Sequence, residues 1–83
     1  MKLTYDPEAD ATYIYVVDRI ADGEVQQTYQ CEPNGINGSI NLDFDASGRL
    51  LGIEILGAKG VLRAEILRKA EAPATPGTVS KNR

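Results

Sequence analysis

Histidine and tryptophan are absent from this sequence of 83 residues, and cysteine occurs once, as Cys31. Without histidine, the chain lacks the commonest general base, the commonest zinc ligand and the base of every Ser-His triad. A single cysteine can form neither an intramolecular disulfide nor a CxxC motif. We therefore expect a protein of a reducing compartment, without a zinc centre and without histidine-dependent catalysis.

Basic residues and long apolar runs are also scarce. The chain has 9 Lys and Arg against 12 Asp and Glu, which gives a net charge of −3. Nucleic-acid modules normally carry a basic face, so we expect no nucleic-acid partner. No apolar run approaches the length of a membrane span, and the first ten residues lack the apolar core of a signal peptide. We expect a cytoplasmic protein with no membrane association and no cofactor.

The sequence does contain the alternation of apolar and polar residues that is typical of β-strands. Turn-forming pairs such as Asp6-Pro7 and Asp22-Gly23 separate the alternating segments. The third segment is the weakest, because Gln27 interrupts its apolar face, and we expect it at an edge of the sheet. The predicted strands are residues 2–6, 11–18, 24–31, 39–44 and 50–56.

The period changes after the last strand. In residues 61–71, "VLRAEILRKAE", Leu62, Ile66 and Ala70 recur every four residues, which predicts an amphipathic helix with its apolar stripe on the sheet. The fold class is therefore α+β: an antiparallel β-meander of about five strands with one C-terminal amphipathic helix. We expect one small domain over residues 1–71 and a disordered tail over 72–83, where prolines are frequent and apolar residues few.

The stretch "DFDASGRLLGIE", residues 43–54, allows two interpretations. Its acidic and glycine positions match the spacing of a calcium-binding EF-hand loop, with Asp43, Asp45 and Glu54 as ligands. An EF-hand loop requires flanking helices, whereas the residues before Asp43 are rich in glycine and asparagine and those after Gly48 alternate as a strand. We interpret the stretch as a β-hairpin with no metal site. Asp43, Asp45 and Glu54 stay as weak metal candidates.

The register of this hairpin follows from its apolar pattern. If Ser47 and Gly48 form the tip, facing residues have numbers that add up to 95, and a slip of one residue would place polar residues opposite apolar ones. The predicted apolar pairs are Phe44 with Leu51, Leu42 with Ile53, and Ile40 with Ile55. The predicted pairs on the other face are Asp43 with Gly52 and Asn41 with Glu54.

An enzymatic function would depend on carboxylates alone. Paired carboxylates can act as general acid and base, but no oxyanion donor or pocket-forming insertion accompanies them here. Cys31 lacks a histidine or basic neighbour that would activate it. We assign no catalytic residues and expect a protein without enzymatic activity. The carboxylates on which the alternative depends are Asp6, Asp10, Asp43, Asp45 and Glu54.

Leu50 and Leu56 are the interface candidates. By the period-2 rule we place both on the face opposite Phe44 and Leu51. One helix covers one face of a sheet this wide, so apolar residues remain open on the other face. We expect a homodimer that uses a face or an edge of the sheet.

Two motifs, "YDPEADATYIYV" and "DFDASGRLLGIEIL", together resemble a widespread prokaryotic family of small domains of unknown function. Its members typically open with Y-D-x-x-x-D-x-L/A-Y-I and close with D-x-x-G-x-V-V-G-I-E-I-L. The resemblance extends over residues 3–56, and Gly57-Ala58-Lys59 departs from the usual D-A-S that follows. The matching positions are Tyr5, Asp6, Asp10, Tyr13, Ile14, Asp45, Gly48, Gly52, Ile53, Glu54 and Ile55.

The resemblance implies a compact antiparallel sheet with a C-terminal helix and no established activity. Genes of this family are reported beside small toxin-like proteins, so the resemblance implies a small protein partner. We therefore expect a non-catalytic domain that self-associates or binds protein. The alternatives are an antitoxin-like neutraliser of a small partner toxin and a weak metal-binding or carboxylate-based enzyme.

Overall fold

Five strands form one antiparallel sheet in the computed structural model, which describes residues 1–32 and 34–73. A short 3-10 turn, Ala58–Gly60, and one α-helix, α1 (Ala64–Lys69), follow the last strand. This architecture confirms the α+β class. The tail predicted from residue 72 lies outside the described residues from residue 74 onward. The strands are β1 (Lys2–Asp6), β2 (Ala11–Tyr15), β3 (Gln27–Cys31), β4 (Ser39–Phe44) and β5 (Leu50–Leu56).

The order of the strands in the sheet is β1-β2-β5-β4-β3. A meander in strict chain order would place β3 beside β2, but β5 lies there instead. The connection 16–26 carries the chain past the positions of β5 and β4 to the far edge, so β2 and β3 are not neighbours. The prediction that the third strand lies at an edge is confirmed, and that strand is shorter than predicted.

The β4–β5 hairpin has the predicted register along most of its length. Ile40 with Ile55, Asn41 with Glu54, Leu42 with Ile53 and Asp43 with Gly52 are the observed pairs. Near the turn the register shifts by one, and Phe44 pairs with Leu50 rather than the predicted Leu51. The shift arises because the turn closes through Asp45 N–H donating to the Arg49 carbonyl, which leaves three residues in the loop. A β-bulge then restores the register of the strands.

The turn requires a glycine at position 48, where φ is +80°. A Cβ added to Gly48 would contact no atom within 4 Å, so the penalty of a larger residue comes from the backbone alone. We expect Gly48→Val to lower the free energy of unfolding by about 1 kcal/mol or more.

Thermal unfolding of Gly48→Val and Gly48→Asn measures this penalty. Asparagine tolerates the left-handed region, so Gly48→Asn should unfold closer to the parent. Equal melting temperatures for Gly48→Val and the parent would contradict the tight-turn interpretation.

The helix is shorter and more exposed than its sequence pattern predicts. The prediction covered residues 61–71, but α1 begins at Ala64 and none of its residues is buried. Gly57 adopts φ +70° and the chain first makes a 3-10 turn, in which Val61 and Leu62 N–H groups donate to the Ala58 carbonyl. Val61 and Leu62 therefore belong to a turn that precedes α1. We expected the apolar stripe of the helix to cover a face of the sheet. This expectation is wrong for α1, because none of its residues is buried.

The two edges of the sheet differ. On the β1 side, Tyr5 N–H donates to the Glu71 carbonyl at 2.8 Å, and Glu71 N–H donates to the Leu3 carbonyl at 2.9 Å. The segment after α1 thereby closes this edge with a parallel bridge. Among the described residues, no strand pairs with β3 on the side away from β4. One edge is covered and the other is open.

The buried core is small. In the described part of the chain, the buried hydrophobic residues are Tyr13, Leu51, Ile55 and Ala58. Three polar residues are buried with them: Thr4, Thr12 and Asp43. A sheet of this width normally buries a face against a second layer, and these residues alone do not provide one.

Candidate functional site

Five apolar residues, one from each strand, form a line across the sheet. Cross-strand partners project to the same face, so the five residues form a continuous band about 19 Å wide across the strands. None of them is buried, and Tyr29 is 63% exposed. We call this band the apolar row: Leu3, Ile14, Ile53, Leu42 and Tyr29.

The neighbouring positions on the same face are covered. Thr12 is 1% exposed and Ile55 is 4% exposed, and both lie toward the end of the sheet where β5 leads into the buried Ala58. The hydroxyl of Thr12 is buried there without a hydrogen-bond partner. The segment after β5 therefore protects one end of this face. The apolar row lies beside the protected end and stays accessible.

The opposite face holds a buried polar network around Asp43. The Tyr13 hydroxyl donates to Asp43 Oδ2 at 2.7 Å, and the Thr28 hydroxyl donates to Asp43 Oδ1 at 2.7 Å. Asp43 is 1% exposed. These bonds connect β2, β4 and the edge strand β3, so the network fixes the position of β3 relative to the middle of the sheet.

Tyr13 reaches Asp43 across Gly52. A Cβ built on Gly52 would lie 2.6 Å from Cζ of the Tyr13 ring, a distance too short for two carbon atoms. The ring also meets Tyr15 edge-on, at 4.8 Å between centroids, and the Lys2 ammonium lies 4.8 Å from the Tyr15 centroid. The absence of a Cβ at Gly52 therefore leaves the space that the Tyr13 ring occupies.

Asp10 joins the first turn to the segment after β5. Its carboxylate accepts hydrogen bonds from the Tyr5 hydroxyl at 2.8 Å and from the Lys59 N–H at 3.1 Å. Its carbonyl accepts the Ala58 N–H, and its φ is +50°. The hydrogen bond to Asp10 raises the pKa of Tyr5. The hydrogen bond of Tyr5 therefore contributes fully to the stability of the fold below the ordinary tyrosine pKa. This contribution is lost as the pH rises through the raised pKa of the folded state.

The candidate carboxylates do not share a cleft. Asp6 and Asp10 flank the first turn, and Asp6 accepts the Glu8 N–H. Asp45 accepts the N–H groups of Ser47 and Arg49 in the β4–β5 turn, each at 2.9 Å. No group of three or more His, Cys, Asp and Glu able to hold a metal ion occurs among residues 1–32 and 34–73. The five residues on which an enzyme would depend are thus divided among the first turn, the β4–β5 turn and one face of the β4–β5 hairpin.

The weak metal candidates have other structural partners. Asp43 belongs to the buried network, Asp45 caps the turn, and Glu54 accepts a hydrogen bond from the Asn41 amide at 3.3 Å. Calcium would have to displace these bonds. We expect millimolar calcium to leave the melting temperature unchanged, because a ligand stabilises a fold only by preferential binding to it.

Magnesium at the same concentration controls for ionic strength in this measurement. A rise of several degrees with calcium alone, abolished by Asp45→Asn, would contradict the prediction.

Leu50 and Leu56 lie at opposite ends of β5. Leu56 is 39% exposed, on the face that carries Glu54 as predicted. Leu50 is half-buried and pairs with Phe44. Its predicted place on the face opposite Phe44 is therefore wrong, because the bulge interrupts the alternation of β5. They are six positions apart, or about 20 Å along a strand. The structure does not bring these two interface candidates into one patch.

Sequence reasoning missed the polar network and the apolar row. The predicted pair Asp43–Gly52 was a signal for the network, because a glycine opposite a buried carboxyl leaves room for a neighbouring ring. The apolar row depends on β2 lying beside β5 and β1 beside β2. The pairing of β2 with β5 joins residues far apart in the chain and has no local sequence signal.

A groove of about 520 Å³ lies beside the open edge of the sheet. Its lining comes from β3, from the end of β4 and from the β4–β5 turn. Cys31, at the other end of β3, is half-buried and carries a free thiol. The lining residues are Gln27, Thr28, Tyr29, Phe44 and Gly48.

No helix in the described ranges, residues 1–32 and 34–73, has the length and apolar character needed to span a membrane. Neither the curated proteins nor the solved structures yield a match to this chain. A family model does match. It covers residues 2–59, which include β1 to β5 and both motifs on which the resemblance was based. The chain therefore belongs to the family described as "protein of unknown function (DUF2283)".

Proposed function

We propose that this domain is a non-catalytic protein-binding module whose binding surface is the apolar row. The observation that carries the proposal is that a straight band of five apolar residues crosses the sheet and none of them is buried. Accessible apolar bands of this kind mark protein interaction sites. A partner would supply the second layer that the short helix α1 does not.

The chemistry of the row defines the partner. Four of its five side chains are aliphatic and the fifth is a tyrosine, so the surface suits an apolar stripe on a helix or sheet of another protein. The exposed Tyr29 lies at the open edge, where aromatic residues often make large contributions to binding. The scattered carboxylates, each held in a turn or a hydrogen-bonded pair, support a role without catalysis.

An antitoxin-like role is a special case of this proposal, in which the partner is a small toxin encoded beside this chain. We propose the cytoplasm as the compartment, on the basis of the single free cysteine.

A capture experiment with two matched variants tests the proposal. Ile53→Lys places a charge in the middle of the apolar row, and Leu56→Lys places the same charge on the same strand but on the other face. A lysine at a half-exposed site can direct its ammonium group to water, so both variants should fold. Circular dichroism confirms folding before the baits are used in cells of the native host.

We expect the parent and Leu56→Lys to retain a common partner and Ile53→Lys to lose it. The proposal would be wrong if Ile53→Lys retained that partner, if Leu56→Lys lost it, or if the parent and Leu56→Lys shared no partner.

A further inference from the structure

The main chain of β3 presents unpaired hydrogen-bonding groups at the open edge. The direction of these groups follows from two bonds at the end of β4. The Phe44 carbonyl accepts the Gln26 N–H on the β3 side, whereas the next residue, Asp45, donates its N–H to the Arg49 carbonyl on the β5 side. Hydrogen bonds alternate along an antiparallel pair, so Tyr29 bonds inward to Leu42, whereas the main-chain groups of Thr28 and Gln30 point outward. Among the described residues, neither makes a main-chain bond outside the sheet ladder.

The edge strand lacks the features that normally prevent edge-to-edge pairing. Proteins protect open edges with charged residues, proline or a covering segment. β3, with the sequence QTYQC, has no charged residue and no proline, although the chain as a whole carries 21 charged residues. The opposite edge is closed by Glu71. The contrast between the two edges indicates that β3 is the edge kept available for another strand.

We propose that two copies of this chain pair through β3, antiparallel and centred on Tyr29, to form one continuous sheet of ten strands. This inference rests on the proposed binding function in one respect: it names a partner and an interface for that function. The occupant is a second copy because the strand is self-complementary in this arrangement. Thr28 faces Gln30, Gln27 faces Cys31, and Glu32 faces Gln26, so no like charges meet.

The symmetry also joins the two apolar rows. Tyr29 is the last residue of the row at the β3 edge, and in the dimer it lies opposite its own copy on the same face. The exposed ring is then covered, and the row continues without interruption from one copy into the next. A pairing of five residues is a small interface, so we expect a reversible dimer with Kd on the order of micromolar.

Gln30→Pro tests the use of the edge. Its N–H points outward, so proline removes a bond to the second copy and none within the chain, and proline is tolerated at such edge positions. Gln30→Ala is the matched control, because it removes the side chain and keeps the N–H. In sedimentation velocity across the micromolar range, the parent and Gln30→Ala should dimerise and Gln30→Pro should stay monomeric.

A charge exchange at Tyr29 tests the register. Only at the centre of a two-fold pairing does a residue face its own copy. Tyr29→Lys alone and Tyr29→Asp alone should each weaken the dimer by about tenfold, because like charges would lie directly opposite. An equimolar mixture of the two variants should restore association as a heterodimer.

The outcomes separate this inference from the binding function of the apolar row. Gln30→Pro leaves the row intact and should still capture the partner that Leu56→Lys captures. A parent that is monomeric throughout, a dimer unaffected by Gln30→Pro, or a charge mixture that does not associate would each overturn the edge pairing. A dimer that Gln30→Pro leaves intact and Ile53→Lys abolishes would move self-association to the apolar row.

Discussion

Replacing Asp43 with alanine is expected to lower the free energy of unfolding by about 3–5 kcal/mol. The carboxyl group is 1% exposed and accepts hydrogen bonds from Tyr13 and Thr28. Alanine removes both bonds, leaves a cavity and removes the side-chain link between β3 and the centre of the sheet. A domain of this size is stabilised by about 4–12 kcal/mol in all, so this loss is a large share of the total stability.

Urea unfolding of three variants measures this effect. Tyr13→Phe removes one of the two hydrogen bonds and should cost about 1–2 kcal/mol. Asp43→Asn keeps the shape of the side chain and one acceptor oxygen, and both hydroxyl partners can reorient, so its cost should lie between those of Tyr13→Phe and Asp43→Ala. A midpoint for Asp43→Ala equal to that of the parent would show that the buried network does not stabilise the sheet.

The second large effect is expected at Gly52. Valine favours strands, and the backbone of Gly52 does not require positive φ, so local preference alone predicts that Gly52→Val stabilises the domain. The ring of Tyr13 predicts the opposite, because a Cβ at position 52 would lie 2.6 Å from its Cζ atom. We expect Gly52→Val to lower the free energy of unfolding by about 2–3 kcal/mol, the usual effect of overpacking.

A double-mutant cycle with Tyr13→Ala isolates this clash. Once the ring is removed, Gly52→Val should have little effect or stabilise the strand, because only the propensity remains. If Gly52→Val were equally destabilising with and without the ring, the close approach of Tyr13 would not be the cause.

The local parts of this fold could be predicted from the sequence, and the β4–β5 hairpin shows why. Its register follows from the alternation of apolar residues such as Leu42 and Ile53, because a slip would exchange the two faces of the sheet. The bulge at Leu50 could not be predicted in the same way. It depends on whether the turn closes with two, three or four residues, and "DASGR" is compatible with each.

The non-local parts could not be predicted. The position of β5 between β2 and β4 is determined by contacts between residues about 40 apart in the chain, and no periodicity encodes it. The length of α1 was overestimated because Leu62, Ile66 and Ala70 fit a helical period, although Leu62 belongs to the preceding turn. Helical periodicity identifies apolar positions, but it does not decide whether Gly57 and Gly60 allow the helix to begin early.

The candidate site also has a part that the sequence predicts and a part that it does not. Exposed apolar surface was expected from the number of apolar strand residues, and Leu42 and Ile53 were assigned correctly to one face. The expected patch of Leu50 and Leu56 was based on a single strand. The apolar row requires five strands in their observed order, so it becomes visible only when the sheet is assembled.

Methyl-resolved NMR of the domain with its captured partner tests the central claim most directly, which is that the apolar row is the binding surface. Ile14, Ile53 and Leu42 report on the row, and Leu56 reports on the opposite face. Addition of the partner should shift and broaden the methyl signals of the three row residues and leave those of Leu56 in place. Shifts at Leu56 with unchanged signals from Ile14, Ile53 and Leu42 would contradict the account.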